Sequence, residues 1–137
     1  MTNKAYFKII LTMDSKEFGR AGEELAAKHL KGLGYKVLER NFRTSVGEID
    51  LVAVDGPTLV FVEVKSRRDG SFGSPELAVN RHKRRQLEKA AMVYIMRKKK
   101  WDTPCRFDVV SVDAAGGPKP EVTVIKDAFE LSGGHGR

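Results

Sequence analysis

Glu48-Ile49-Asp50-Leu51-Val52-Ala53-Val54-Asp55-Gly56-Pro57-Thr58-Leu59-Val60-Phe61-Val62-Glu63-Val64-Lys65 is the stretch from which the fold can be read. Two runs rich in β-branched residues flank the turn-forming Asp55-Gly56-Pro57, which predicts a hairpin of strands Glu48–Val54 and Thr58–Lys65. With the turn at Gly56-Pro57, Asp55 faces Thr58, and counting outward sets Asp50 opposite Glu63. Side chains alternate along a strand. Glu48, Asp50, Val52 and Val54 then share a face with Phe61, Glu63 and Lys65, while Ile49, Leu51, Val60, Val62 and Val64 turn to the other face, expected to be the core.

Opposed residues in such a pair have Cβ atoms roughly 5 Å apart, and like charges there repel. Something positive is expected between Asp50 and Glu63. A divalent cation is one candidate, because Mg²⁺ takes oxygen ligands at about 2.0–2.1 Å and commonly uses one or two carboxylates. Lys65 is the other. The competing reading is a solvated cross-strand charge cluster with no catalytic role, but Phe61, Val52 and Val54 on the same face argue for partial cover, where unpaired carboxylates are costly. A cation held there would polarise a phosphoryl oxygen and lower the pKa of a bound water. Lys65 would orient that water or offset charge developing on the phosphate, a combination suited to cleaving a phosphodiester.

Upstream, Phe18, Ala21, Leu25, Ala26, His29, Leu30 and Leu33 recur three and four apart, predicting a helix from about Ser15 to Leu33 with Gly34 as its stop. Tyr35 to Arg43 is β-compatible. Downstream, the polar loop Ser66 to Pro75 precedes a helix from about Arg81 to Lys98, capped by Asn80, with Leu87, Ala90, Ala91, Tyr94 and Ile95 as its apolar stripe. Cys105–Val112 and Val122–Ile125 are the last strands, joined by a Gly- and Pro-containing loop. The order helix, strands, helix, strands predicts an α/β domain with a mixed central sheet flanked by helices. Its expected bounds are 15–131, after an N-terminal extension 1–14 and before a frayed tail 132–137.

The chain has 137 residues, enough for one core domain, and 25 Lys and Arg against 18 Asp and Glu leave a formal charge of +7. Polyanions are therefore favoured partners, nucleic acid first, since each cation placed on a phosphate releases a counterion. One cysteine, Cys105, excludes an intramolecular disulfide or a cysteine-based zinc cluster, and suits a reducing cytoplasm. Lys8 interrupts the apolar stretch Ala5 to Met13, which reads poorly as a signal peptide, and no segment is long enough to span a bilayer. No membrane role is expected.

Gly47-Glu48-Ile49-Asp50-Leu51 and Phe61-Val62-Glu63-Val64-Lys65-Ser66-Arg67 resemble the active-site motif of the PD-(D/E)xK, or restriction-endonuclease-like, superfamily. Asp50 fills the first acidic position and Glu63-x-Lys65 the second element, with Ile49 where the motif has its proline. With Gly19-x-x-Gly22-Glu23 and Cys105-Arg106-Phe107-Asp108-Val109-Val110, the pattern is similar to the YraN-like family of uncharacterised bacterial proteins, itself similar to archaeal Holliday-junction resolvases. The resemblance covers about Gly19 to Phe129.

It implies a restriction-endonuclease-like core and a DNA endonuclease using Mg²⁺ or Mn²⁺, acting on branched or otherwise structured DNA. Asp50 and Glu63 would be direct ligands, Glu23 would reach the metal from the first helix, and Lys65 would be the catalytic lysine. Glu24 competes with Glu23 for the helix role, and Glu48 would steady the ligands from behind. Lys83, with Arg84 and Arg85, would face nucleic acid as the helix after Glu-x-Lys does in similar nucleases, and Arg67 and Arg68 are placed for phosphate contacts. Cutting a junction takes paired sites, so a homodimer is among the expected partners. A protein that binds nucleic acid on the same fold without cleaving it is the alternative.

The remaining residues read as structural. His29 is expected to be packed or half-exposed, His82 and His135 have no partner at metal-binding spacing, Trp101 and Tyr94 are expected to pack, and Arg106 with Asp108 reads as an ion pair. Phe72 either stacks on a base or closes over the core.

Overall fold

The Asp14 carboxylate accepts the Glu17 N–H at 2.8 Å and the Glu17 side chain accepts the Asp14 N–H at 3.2 Å, a reciprocal cap that starts helix α1, Ser15–Gly32. Asn80 does the same work alone for helix α2, Arg81–Lys98, accepting the Lys83 N–H at 2.9 Å. The strands are β1 (Lys36–Thr44), β2 (Gly47–Asp55), β3 (Thr58–Arg67), β4 (Cys105–Asp113) and β5 (Glu121–Phe129). This computed structural model describes residues 12–68, 79–114 and 119–129. Most of the expected N-terminal extension, the tail with His135, and the loop carrying Phe72 lie outside the described residues.

The five strands form one sheet in the order β1-β2-β3-β4-β5, antiparallel throughout except for the parallel pair β3 and β4. That parallel pair, in register from Leu59↔Cys105 to Arg67↔Asp113, is joined by the stretch that contains α2, the crossover a parallel connection needs. The hairpin turns where Asp55-Gly56-Pro57 predicts, with Asp55 paired to Thr58. The architecture is the α/β mixed sheet expected, and it fits a restriction-endonuclease-like core.

The expectation of one core face is corrected. Ala26, Ala27 and Leu30 of α1 cover Leu51, Ala53, Val60, Val62, Val110 and Val112, while Leu87, Ala90, Ala91 and Tyr94 of α2 cover Ile49, Val52, Leu59, Phe61, Phe107 and Val109. Both faces of the central strands are buried. Ile49 belongs with Val52 and Phe61, not with Leu51, and Asn41, on β1 across from this stretch, sits at φ 51° in the left-handed region. Strict alternation fails at Asp50, the residue between them.

Three smaller expectations also change. Tyr35 is a buried residue just before β1, β5 runs beyond Ile125 because Phe129 stacks on Phe107 at 4.9 Å, and Trp101 is 60% exposed because it falls beyond the α2 cap, past the end of the apolar stripe. Tyr94 does pack, edge-on to Phe42 and Phe61.

Arg106 and Asp108 pair as read from the strand, Nε to Oδ1 at 2.9 Å, and they recruit neighbours the sequence did not point to. Arg106 also donates to Asp55 Oδ2 at 2.8 Å and to the Tyr35 hydroxyl at 2.8 Å, while Tyr35 and the Asp127 N–H donate to the fully buried Asp108. This network ties the hairpin end of the sheet to β4 and β5.

Candidate active site

At the opposite end of the hairpin the ladder stops early. Its last pair is Leu51↔Val62, so Asp50 is not paired to Glu63 as counting outward predicts. The Asp50 carboxylate takes over the work of the missing strand bonds, accepting the Val64 N–H at 2.8 Å. β2 and β3 therefore part at this point, and the gap is where acidic side chains gather.

Glu63 follows Phe61 on the α2 face and is only 5% exposed. Its Oε2 lies 3.5 Å from the Lys65 Nζ and 3.7 Å from the Lys83 Nζ, and its Oε1 is buried with no hydrogen-bond partner among the described residues. Burial first, then the negative charge of Asp50, pushes the Glu63 carboxyl up to about 7, against the pull of Lys83 and Lys65. Lys65 thus stands beside Glu63, and Lys83 does so from α2.

Glu23 arrives from the other side of the sheet because α1 packs hard against β3. A Cβ on Gly22 would stand 1.8 Å from the Ser66 Oγ, so only glycine lets the helix come this close. α2 is seated with similar tightness: a Cβ on Gly47 would meet the Gln86 carbonyl oxygen at 2.5 Å. Burial, then Asp50, then Glu48 push Glu23 up to about 7, while a hydrogen bond with the Asn41 side chain pulls it down. Glu24 points elsewhere, ion-paired with Arg40 on the surface. Geometry therefore separates two neighbours that helix spacing alone leaves in competition.

The structure sets Glu23 and Glu63 each close to Asp50, with Lys65 and Lys83 beside Glu63 and Glu48 at the margin, exposed and 3.5 Å from the Arg43 Nε. Arg68 is half-buried, bonded to the Met13 carbonyl with its guanidinium 4.7 Å over Phe18, yet it still lines the cleft that holds Glu23 and Lys65. Arg84 is turned to other work, donating to the Val79 carbonyl at 2.9 Å and lying 5.0 Å over Phe129. Arg85 is exposed on α2, and Arg67 lies at the end of β3 with its carbonyl accepting the Ala114 N–H. Sequence reasoning missed Asn41 and Ser66; the only sign of the first is an asparagine inside a strand, a residue type that tolerates the left-handed region.

Glu23, Asp50 and Glu63 offer hard oxygen donors with no His or Cys, the donor chemistry Mg²⁺ and Mn²⁺ select. The unpartnered buried Glu63 Oε1 and the raised Glu23 and Glu63 are groups that a cation would relieve. Among the described residues no three of His, Cys, Asp and Glu stand grouped so as to hold a metal ion; the ammonium groups of Lys65 and Lys83 face Glu63 instead.

The model of the uncharacterised protein family UPF0102 matches residues 22–112, a span that holds Glu23, Asp50, Glu63, Lys65 and Lys83. A UPF0102 protein of Geotalea daltonii is 50% identical over 119 residues, covering 87% of this chain and 94% of that protein. Those of Geobacter sulfurreducens and Clostridium kluyveri are 47% and 43% identical over 118 residues each, covering 86% and 85% of this chain and 92% and 97% of theirs.

Proposed function

Because this chain belongs to the uncharacterised protein family UPF0102, whose name carries no activity, we propose from the site itself that the protein is a divalent-metal-dependent endonuclease hydrolysing phosphodiester bonds of DNA. One observation carries the reading: Glu63 is buried beside Asp50 and two lysines, with one oxygen that has no hydrogen-bond partner among the described residues, at the point where β2 and β3 part. Such a constellation is costly to the fold and useful to a reaction that needs a cation. The net charge of +7 supports a polyanionic substrate.

Asp50, Glu63 and Glu23 would hold Mg²⁺ or Mn²⁺, which when bound would neutralise phosphate charge and render a water nucleophilic. Asp50 is fixed for this by the Val64 N–H. Lys65, released from Glu63, would hold the attacking water or stabilise charge building on the phosphate. Lys83 would do the same from α2, and Arg68 would bind a neighbouring phosphate. Glu48 would steady the cluster from its rim. Branched or structured DNA is the substrate to try first, and a junction, needing two cuts, would bring a homodimer with it.

The test is cleavage of end-labelled duplex, single-stranded and four-way-junction DNA in Mg²⁺ or Mn²⁺ by wild type, Asp50→Ala and Lys65→Ala. Cleavage by wild type that falls by at least about 10²-fold in both variants is expected. Binding without cleavage, unchanged in Asp50→Ala, would replace the reading with a non-catalytic nucleic-acid-binding protein.

A further inference from the structure

Of the two glycines in Gly19-x-x-Gly22-Glu23, packing explains one. Gly22 is held to glycine by Ser66, but a Cβ on Gly19 would have nothing within 4 Å among the described residues. Glycine inside a helix weakens it relative to alanine, so an interior helical glycine with open space above it needs another reason. Gly19 lies where two clefts meet. One, of about 440 Å³, is also lined by Glu23, Lys65 and Arg68, and the other, of about 220 Å³, by Glu23, Arg20 and Arg43. Ser15, Gly19 and Glu23 belong to both, so the clefts join across the first turns of α1.

We propose that the two clefts are one track for a phosphodiester strand, which crosses α1 at Gly19 with phosphates on either side of Glu23. Lys65 and Arg68 meet the strand on one side of the helix, and Arg20 and Arg43 meet it on the other. Gly19 keeps the floor low, so that a sugar-phosphate backbone lies against the helix where any side chain would lift it away. The strand is thereby delivered past Glu23 to the place where Asp50 and Glu63 gather. This inference rests on the hydrolase reading for its ligand and adds where that ligand runs.

The test sets Gly19→Ala and Gly19→Leu against Gly32→Ala, since Gly32 ends the same helix, would likewise have nothing within 4 Å of an added Cβ among the described residues, and lines neither cleft. Thermal unfolding and anisotropy with labelled single-stranded and duplex DNA are measured at low salt in EDTA. Gly19→Ala should raise the melting temperature by roughly 2–4 °C. It should nevertheless bind DNA about tenfold more weakly, with Gly19→Leu weaker still. Gly32→Ala should bind as wild type does. Gly19 variants that bind like wild type, or a Gly19→Ala that is less stable than wild type, would overturn the track and leave the hydrolase reading standing. A wild type that binds neither form of DNA would overturn both.

Discussion

The two ends of the central hairpin treat buried charge in opposite ways. At the turn end Asp108, fully buried, receives Arg106, Tyr35 and the Asp127 N–H, and Arg106 is shared with Asp55. At the open end Glu63, almost as buried, keeps one oxygen unpartnered among the described residues and lies beside the Asp50 carboxylate. The titrations diverge accordingly. The hydrogen bond from Arg106 lowers Asp55, whereas burial and Asp50 push Glu63 and Glu23 up to about 7. A chain able to satisfy a buried carboxylate fully at one end leaves another unsatisfied at the other, and that difference marks a site kept for something that binds.

The comparison is broken most severely at its satisfied end. Asp108→Ala leaves Arg106 largely buried without its main partner, and urea unfolding should show a loss of about 3–5 kcal/mol. Removing charge at the open end should do the reverse. Glu63→Gln keeps the shape and removes the desolvated charge, so the metal-free protein should gain about 1–2 kcal/mol at pH 8 by the same assay. A destabilised Glu63→Gln would mean that the Lys65 and Lys83 contacts outweigh burial, and the contrast between the ends would be lost.

pH sharpens the same contrast. Glu63 and Glu23 hold protons in the folded state between about 4.5 and about 7 that the unfolded chain has already released, so they make stability fall as pH rises through that window. Asp55, lowered from its ordinary 3.8, works the other way: its contribution is present above that value and is lost as pH falls through its lower folded value. Thermal unfolding against pH, with and without Mn²⁺, should show the decline toward pH 7 in the metal-free protein and its reversal by the cation. The smallest effect expected is at Glu24. Glu24→Ala removes an exposed ion pair with Arg40 and should change stability by less than about 1 kcal/mol, with metal affinity untouched, while Glu23→Gln weakens metal binding.

Sequence patterning reached the turn end more surely than the site. Asp55-Gly56-Pro57 fixes the register of the hairpin, Asn80 and the Leu87 to Tyr94 stripe fix α2, and alternation on β4 puts Arg106 and Asp108 on one side. That Asp50 and Glu63 would not pair was not legible, because a carboxylate that replaces a strand neighbour by taking the Val64 N–H leaves no trace in alternation. The second core was legible but overlooked: Leu51-Val52-Ala53-Val54 and Leu59-Val60-Phe61-Val62 are continuous apolar runs, the mark of strands covered on both faces. The Gly-Glu position already favoured Glu23 over Glu24; what the sequence did not carry was the seat of α1 behind that choice, which depends on one glycine against Ser66.

The measurement that bears most directly on the cluster is the proton count of metal binding, read by calorimetric titration of Mn²⁺ at pH 7 in buffers of different ionisation enthalpy. Glu23 and Glu63, each pushed up to about 7, are close to half-protonated there. Cation binding should therefore release about one proton in total, with affinity rising from pH 6 to pH 8 and the release vanishing well above that. Both signals should disappear in Glu63→Gln. Absence of Mn²⁺ binding by wild type at pH 8, or binding that releases no proton at pH 7 and survives Glu63→Gln, would contradict a cation site built from these carboxylates.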